Sequence, residues 1–145
     1  MLSDRDIVYF GADSWEDVLW RDRHEICMRL AARNRVIYVE SRPYFRKLRR
    51  RLWNGETKWQ DLKWASLREI CPGLFVFRYP DWAPIAGRFP FRQIFAVIRR
   101  NAIRSSLKHI GVTRPIVWFN TPNLVDLLDD LPSPALRIYH VVDQY

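Results

Sequence analysis

Residues 6–41 read DIVYFGADSWEDVLWRDRHEICMRLAARNRVIYVES, and this stretch decides the fold. Asp6–Phe10 is a compact apolar run closed at once by Gly11, the pattern of a strand that ends in a loop. In the middle, Ile26, Cys27, Leu30 and Ala31 recur at helical spacing on one face, and Asn34 is a helix stop. Arg35–Ser41 is a second apolar run, rich in β-branched residues. A strand, a helix and a strand within about 35 residues make a βαβ unit, and such units build parallel sheets because the crossover needs a helix to return the chain.

The rest of the chain repeats the alternation. LFVFRYP (74–80), PIVWFN (115–120) and ALRIYHVVD (135–143) read as three further strands, the last as a fully buried one. FRQIFAVIRRNAIRSSLKHIG (91–111) reads as a long helix closed by Gly111. Its apolar face is expected along Phe91, Ile94, Phe95, Ile98 and Ala102, with Arg99, Arg100, Arg104 and Lys108 as polar positions. TPNLVDLLDDL (121–131) predicts a short helix with Pro122 near its start. The expectation is a single α/β domain: a Rossmann-like, doubly wound parallel sheet of about five strands, interrupted by a basic insert at 42–70.

Bulk properties narrow the class. At 145 residues with 48% apolar and 28% charged side chains, the chain is long enough for one cored domain and is not compositionally disordered. Its net charge of +8 favours anionic partners. Cys27 and Cys71 are isolated and fit reduced thiols in a cytoplasmic protein. The acidic N-terminus lacks the pattern of a secretory signal, and no run approaches the roughly 18 apolar residues of a membrane span.

In open α/β sheets ligands bind beyond the carboxyl ends of the strands. The loops expected there are GADSW, ESRPYF, YPDWAPIAG, NTPN and DQY. Neither GxGxxG nor a P-loop, HExxH or G-x-S-x-G motif occurs, and no metal-ligand spacing is visible. The predicted ligand-facing residues are Gly11, Trp15, Arg21, Arg23, His24, Asn120 and Asp143, each placed after a strand end or at the start of the following helix. His24 reads either as an acceptor contact or base, or as a half-exposed histidine in a charged helix turn; His140 reads as a core histidine. Asp143 reads equally as a ligand contact or a strand-terminating turn residue.

Charge is concentrated elsewhere. Between Arg42 and Arg68 there are nine basic residues and two acidic ones, so this stretch supplies nearly all of the net +8. Tyr44, Leu48 and Leu52 recur every four residues among Arg46, Lys47, Arg49, Arg50 and Arg51, with Trp53 following. A basic amphipathic helix carrying aromatics predicts binding to an anionic membrane surface. Nucleic acid would be drawn by the same charges, but no nucleic-acid motif accompanies them.

Taken together, DIVYFGADSW, WRDRHEICMRLAARNRVIYVES, PIVWFNTPN and LRIYHVVDQY resemble the N-terminal domain of bacterial GT-B glycosyltransferases, in particular the retaining, family-4-like enzymes of exopolysaccharide and cell-wall polymer synthesis. The resemblance implies two Rossmann-like domains facing across a cleft. The N-terminal one holds a sugar or lipid-linked acceptor, and the C-terminal one holds the nucleotide-sugar co-substrate and supplies an acidic donor motif. It implies no cofactor or essential metal, and a peripheral location on the cytoplasmic face of the plasma membrane. Two departures stand out: the Gly-rich turn after the first strand is reduced to Gly11, and no donor-binding half follows Tyr145. The expectation is therefore a half-enzyme, inactive alone. The alternatives are a non-catalytic module for anionic lipid or nucleic acid, and a stand-alone nucleotide-binding domain weakened by the missing glycine fingerprint.

Overall fold

The computed structural model describes residues 2–16 and 22–141. Six strands form one sheet: β1 (Asp6–Phe10), β2 (Arg35–Val39), β3 (Ser66–Cys71), β4 (Leu74–Arg78), β5 (Ile116–Phe119) and β6 (Leu136–Tyr139). Their spatial order is β3-β4-β2-β1-β5-β6. All neighbours pair in parallel except β3 and β4, which are antiparallel. With β3 set aside, the parallel strands run 3-2-1-4-5 in chain order, the arrangement of a Rossmann-like α/β fold. The helices are α1 (Asp22–Ala31), α2 (Phe45–Trp53) and α3 (Phe91–His109).

The continuous apolar runs follow from cover on both faces. Ile7, Val8, Tyr9 and Phe10 of β1 are all buried, and so are Val36 to Val39 of β2. Because side chains alternate along a strand, each central strand feeds two cores. Val8, Phe10, Ile37, Val39, Phe77, Val117 and Phe119 pack with Ile103 and Leu107 of α3 and with Leu127 and Leu131. On the other face Ile7, Tyr9, Val36, Tyr38, Val76 and Ile116 pack with Trp15 and with Cys27 and Ala31 of α1.

The structure corrects four expectations. The strand β3 lies within the stretch read as insert, and pairs with β4 as a hairpin through the turn at Pro72–Gly73. Its sequence SLREIC has Arg68 and Glu69 at the centre because it is an edge strand, and edges are kept polar to resist further pairing. Gly73 is required in that turn: its φ is +83°, and a Cβ there would stand 2.9 Å from the Ala31 carbonyl oxygen at the end of α1. The crossover from β5 to β6 is a run of 3-10 turns, Pro122–Asp130, in place of an α-helix. The strand β6 is the opposite edge and is half-exposed, with Leu136, Tyr139 and the following Val141 all open to solvent.

The fourth correction concerns α3. Its sheet-facing stripe is Arg99, Ile103 and Leu107, while Phe91 and Ile94 are exposed. The expected stripe was set mainly by apolar residues of the first two turns, of which Phe91 and Phe95 line a groove with α2, while Ala102 of that stripe does pack against the sheet core. Arg99 is tolerated in the buried stripe because its Nη1 donates to the Ala83 carbonyl oxygen at 2.9 Å. Burial, followed by the nearby Arg42, lowers its pKa from the usual guanidinium value.

Ile103→Ala should lower unfolding free energy by about 2–5 kcal/mol, and Ile94→Ala by under about 1 kcal/mol, because only the first leaves a cavity. Urea denaturation of both variants checks this; equal losses would contradict the assigned helix face.

Candidate functional site

The site is built on the loop that leaves β1. Gly11 N donates to the Val39 carbonyl oxygen at 2.9 Å, extending the sheet by one bond. The Tyr38 phenol passes so close over Gly11 that any Cβ at this position would overlap its ring and hydroxyl. The gap left by the missing side chain is thus filled by Tyr38, whose hydroxyl donates to the Asp13 carbonyl oxygen at 3.1 Å. Next, Glu40 at the end of β2 is buried and accepts from two loop groups with one oxygen: the Trp15 amide at 2.8 Å and the Ser14 hydroxyl at 3.1 Å. From α1, His24 Nε2 lies 3.0 Å from the Trp15 carbonyl oxygen, so that nitrogen carries the proton and donates. Arg23 makes an ion pair with Asp13.

These contacts decide what two expected ligand residues do. His24 is 1% exposed and Trp15 8%, and their rings stand 4.5 Å apart beside Tyr38. Both lie beneath the surface and hold the loop. The half-exposed alternative for His24 is corrected by the same burial. Gly11 does line the crevice described below, and Arg23 braces its wall through Asp13. Asn120, after β5, lies beside the Tyr9 hydroxyl, and its Oδ1 is buried without a partner. Near it, Trp118 Nε1 and His140 Nδ1 are also buried and unpartnered, their rings 6.0 Å apart. Expected site residues Arg21 and Asp143 lie outside the described residues.

A crevice of about 750 Å³ opens across the carboxyl ends of β4, β2, β1 and β5. Its lining comes from each in turn: Arg78, Tyr79 and Asp81 after β4; Glu40 to Tyr44 after β2; Gly11 to Ser14 after β1; Thr121 and Asn123 after β5. This is the place the strand order dictates, spanning the point between β1 and β5 where successive crossovers go opposite ways. One wall is α2, which contributes Lys47, Leu48 and Arg51, positions one turn apart on one face. Arg42 reaches over the crevice to Asp126, with 2.8 Å between Nη1 and the carboxylate.

The acids are largely engaged. Asp13 pairs with Arg23, Glu16 with Arg68, and Asp81 with Arg78 and the Lys63 amide. Lys47 and Arg51 have no ion-pair partner among the described residues. Among the described residues, no group of His, Cys, Asp and Glu is arranged to hold a metal ion.

The expected membrane-binding residues all fall on α2, and the helix splits them. Lys47 and Arg51 face the crevice. Arg46 and Arg49 face a second, apolar groove of about 870 Å³ between α2 and the start of α3, walled by Tyr44, Phe45, Ile85, Phe91 and Phe95. Backbone bonds tie its two sides, from Ile85 N to the Pro43 carbonyl at 2.7 Å and from Phe45 N to the Ile85 carbonyl at 3.1 Å. Trp53 is 90% exposed and Phe89 79%. No described helix is long and apolar enough to cross a membrane.

Four of the loops named from sequence supply lining residues of the crevice, and DQY lies outside the described residues; of the residues selected in these loops, Gly11 is a lining one. Glu40, Arg42, Arg78, Tyr79 and Asp81 were readable as strand-end positions, since each ends or follows an apolar run. Comparison with protein-family models, curated proteins and solved structures found no match to this chain.

Gly11→Ala should be strongly destabilising, by about 3 kcal/mol or more, because Tyr38 must leave a buried position. Thermal unfolding tests this, and a variant as stable as the parent would show that Tyr38 does not occupy that gap. A second expectation concerns pH. Burial pushes the Cys27 thiol up to about 12; burial, then Cys27, pushes Tyr9 up to about 12, and burial also raises Tyr38 and Tyr79. These groups stay neutral when folded but ionise in the unfolded chain from about pH 9 upward, so stability is complete below that pH and falls as it rises toward 12. Urea unfolding at pH 10.5 should give a free energy lower than at pH 8, by roughly 2 kcal/mol from the thiol alone. Equal stability at both values would contradict the burial of these groups.

Proposed function

We propose that this chain is the acceptor-side Rossmann-like domain of a glycosyltransferase that transfers a sugar from a nucleotide-sugar to a polysaccharide or lipid-linked acceptor at the membrane surface. The supporting observation is the position of α2. One face of this basic helix walls the strand-end crevice with Lys47 and Arg51, and another face lines the apolar groove with Phe45, Arg46 and Arg49. A helix resting on an anionic bilayer through its arginines and exposed aromatics would bring the crevice to the interface, where a lipid-linked acceptor presents its polar head. The exposed Trp53, Phe89 and Phe91 supply the apolar contact and Arg46, Arg49 and Arg50 the charge.

In this reading the crevice holds the acceptor, and a second Rossmann-like domain holds the nucleotide-sugar and neutralises the departing phosphate. The sequence resemblance supports the same division of labour. The exposed edge at β6, with Leu136, Tyr139 and Val141, is the kind of apolar surface that an adjoining domain covers.

Two measurements test the reading. Sedimentation with anionic vesicles should remove the chain from solution, and neutral vesicles should not; Arg49→Ser/Arg50→Ser should weaken the association about tenfold or more. Equal binding to both vesicle types, or tighter binding to RNA at matched salt, would favour a general polyanion-binding module. Sugar transfer to isoprenoid-linked acceptors is expected only when a donor-binding domain is added; turnover by the 145-residue chain alone would overturn the division of labour.

A further inference from the structure

We propose that the strand-end crevice is a phosphate-recognition site, in which Lys47 and Arg51 bind the anion and the Tyr79 hydroxyl donates a hydrogen bond to it. The inference deepens the acceptor-side reading and rests on it for the role of the site: the phosphate would be the one that an acceptor carries.

Three observations converge. First, the positive charge of the crevice is unevenly used. Arg42 and Arg78 have carboxylate partners in Asp126 and Asp81, whereas Lys47 and Arg51 have none among the described residues. They stand four residues apart on α2, so both ammonium and guanidinium groups project from one helix face into the same space. Second, a residue that lines the crevice carries an unsatisfied buried donor. Tyr79 is 1% exposed and lines the crevice, yet its hydroxyl has no hydrogen-bond partner. An isolated buried hydroxyl costs about 1–3 kcal/mol, a cost removed if a ligand oxygen accepts from it. Third, burial keeps that phenol protonated and therefore a donor, and Arg42 and Arg99 act on it from nearby, opposed by Asp130 and Asp126. Arg42 can exchange its exposed partner Asp126 for a phosphate without leaving its place.

The class of ligand follows from geometry and charge. Two cations one helical turn apart, with the neutral hydroxyl of Tyr79 as donor, match the several acceptor oxygens of a phosphate or diphosphate better than a single carboxylate. The crevice is large enough for a sugar beside the phosphate, at about 750 Å³. Phosphate of this kind is carried either by a lipid-linked head or by a free phosphorylated sugar.

The test is titration of the full chain with inorganic pyrophosphate at low ionic strength, followed by calorimetry, with sodium sulfate at matched ionic strength as reference. Saturable binding of pyrophosphate, tighter than sulfate, is expected. Lys47→Gln/Arg51→Gln should weaken it by at least about tenfold. Tyr79→Phe should also weaken it, by about tenfold, while leaving urea stability unchanged or raised, because it deletes a hydroxyl that nothing in the protein satisfies. Arg49→Gln/Arg50→Gln, which reduces vesicle binding, should leave pyrophosphate affinity unaltered. Displacement of bound pyrophosphate by farnesyl diphosphate or by glucose 1-phosphate tells which carrier the site takes, and either supports the site. Pyrophosphate affinity that survives both Lys47→Gln/Arg51→Gln and Tyr79→Phe, or that equals sulfate affinity, would overturn it. Vesicle binding and sugar transfer are separate readouts, so this proposal and the acceptor-side reading can each fail alone.

Discussion

The contact between Gly11 and Tyr38 is the constraint on which the site depends. Parallel neighbours β1 and β2 bring the end of one strand against the penultimate residue of the other, and Tyr38 is too large to fit if position 11 carries a side chain. Once the phenol is in place, its hydroxyl fixes the Asp13 carbonyl, Glu40 fixes the Trp15 amide from the same strand, and His24 fixes the Trp15 carbonyl from α1. A loop of polar composition is thereby folded against the sheet with its main-chain groups satisfied, which is what a rigid crevice wall requires. A glycine-rich phosphate turn would occupy this space in dinucleotide-binding domains; here it is filled from within by aromatic side chains. The crevice cations without an ion-pair partner among the described residues, Lys47 and Arg51, lie on the opposite wall, α2.

That division explains the charge distribution. Acids at the strand ends serve the protein's own loops, and the two crevice cations without an ion-pair partner among the described residues, Lys47 and Arg51, lie on one helix that has no buried residue. A helix so weakly anchored in the core gains little from burial, and its retention in a folded position rests on the strand-like tie between Pro43–Phe45 and Ile85 and on half-buried Leu48 and Leu52. Its surface is thus left open, apolar on the groove side and cationic on the crevice side.

Much of the fold was legible because the central strands are covered on both faces and so appear as unbroken apolar runs: DIVYF, RVIYV, LFVFR and IVWF are all strands at nearly the expected bounds. What was not legible lies at the edges. SLREIC carries two charges because it has only one neighbour, and Leu136–Tyr139 looks buried by composition although half of it faces solvent. The helix α3 misled for a related reason: its apolar residues serve the sheet in one half and the α2 groove in the other, and periodicity alone merges the two. At the site, the strand-end rule located the loops, but Trp15 and His24 looked like ligand residues because their burial depends on Tyr38, distant in sequence and opposite a glycine.

The central claim, that the loop after β1 is a preformed wall clamped by β2, is tested most directly by hydrogen exchange at the Trp15 amide, the donor to buried Glu40. The account predicts protection comparable to that of the neighbouring strand amides, lost in Glu40→Ala with the β1 and β2 amides still protected. Exchange of the Trp15 amide in the parent protein at the rate of an exposed loop would contradict it.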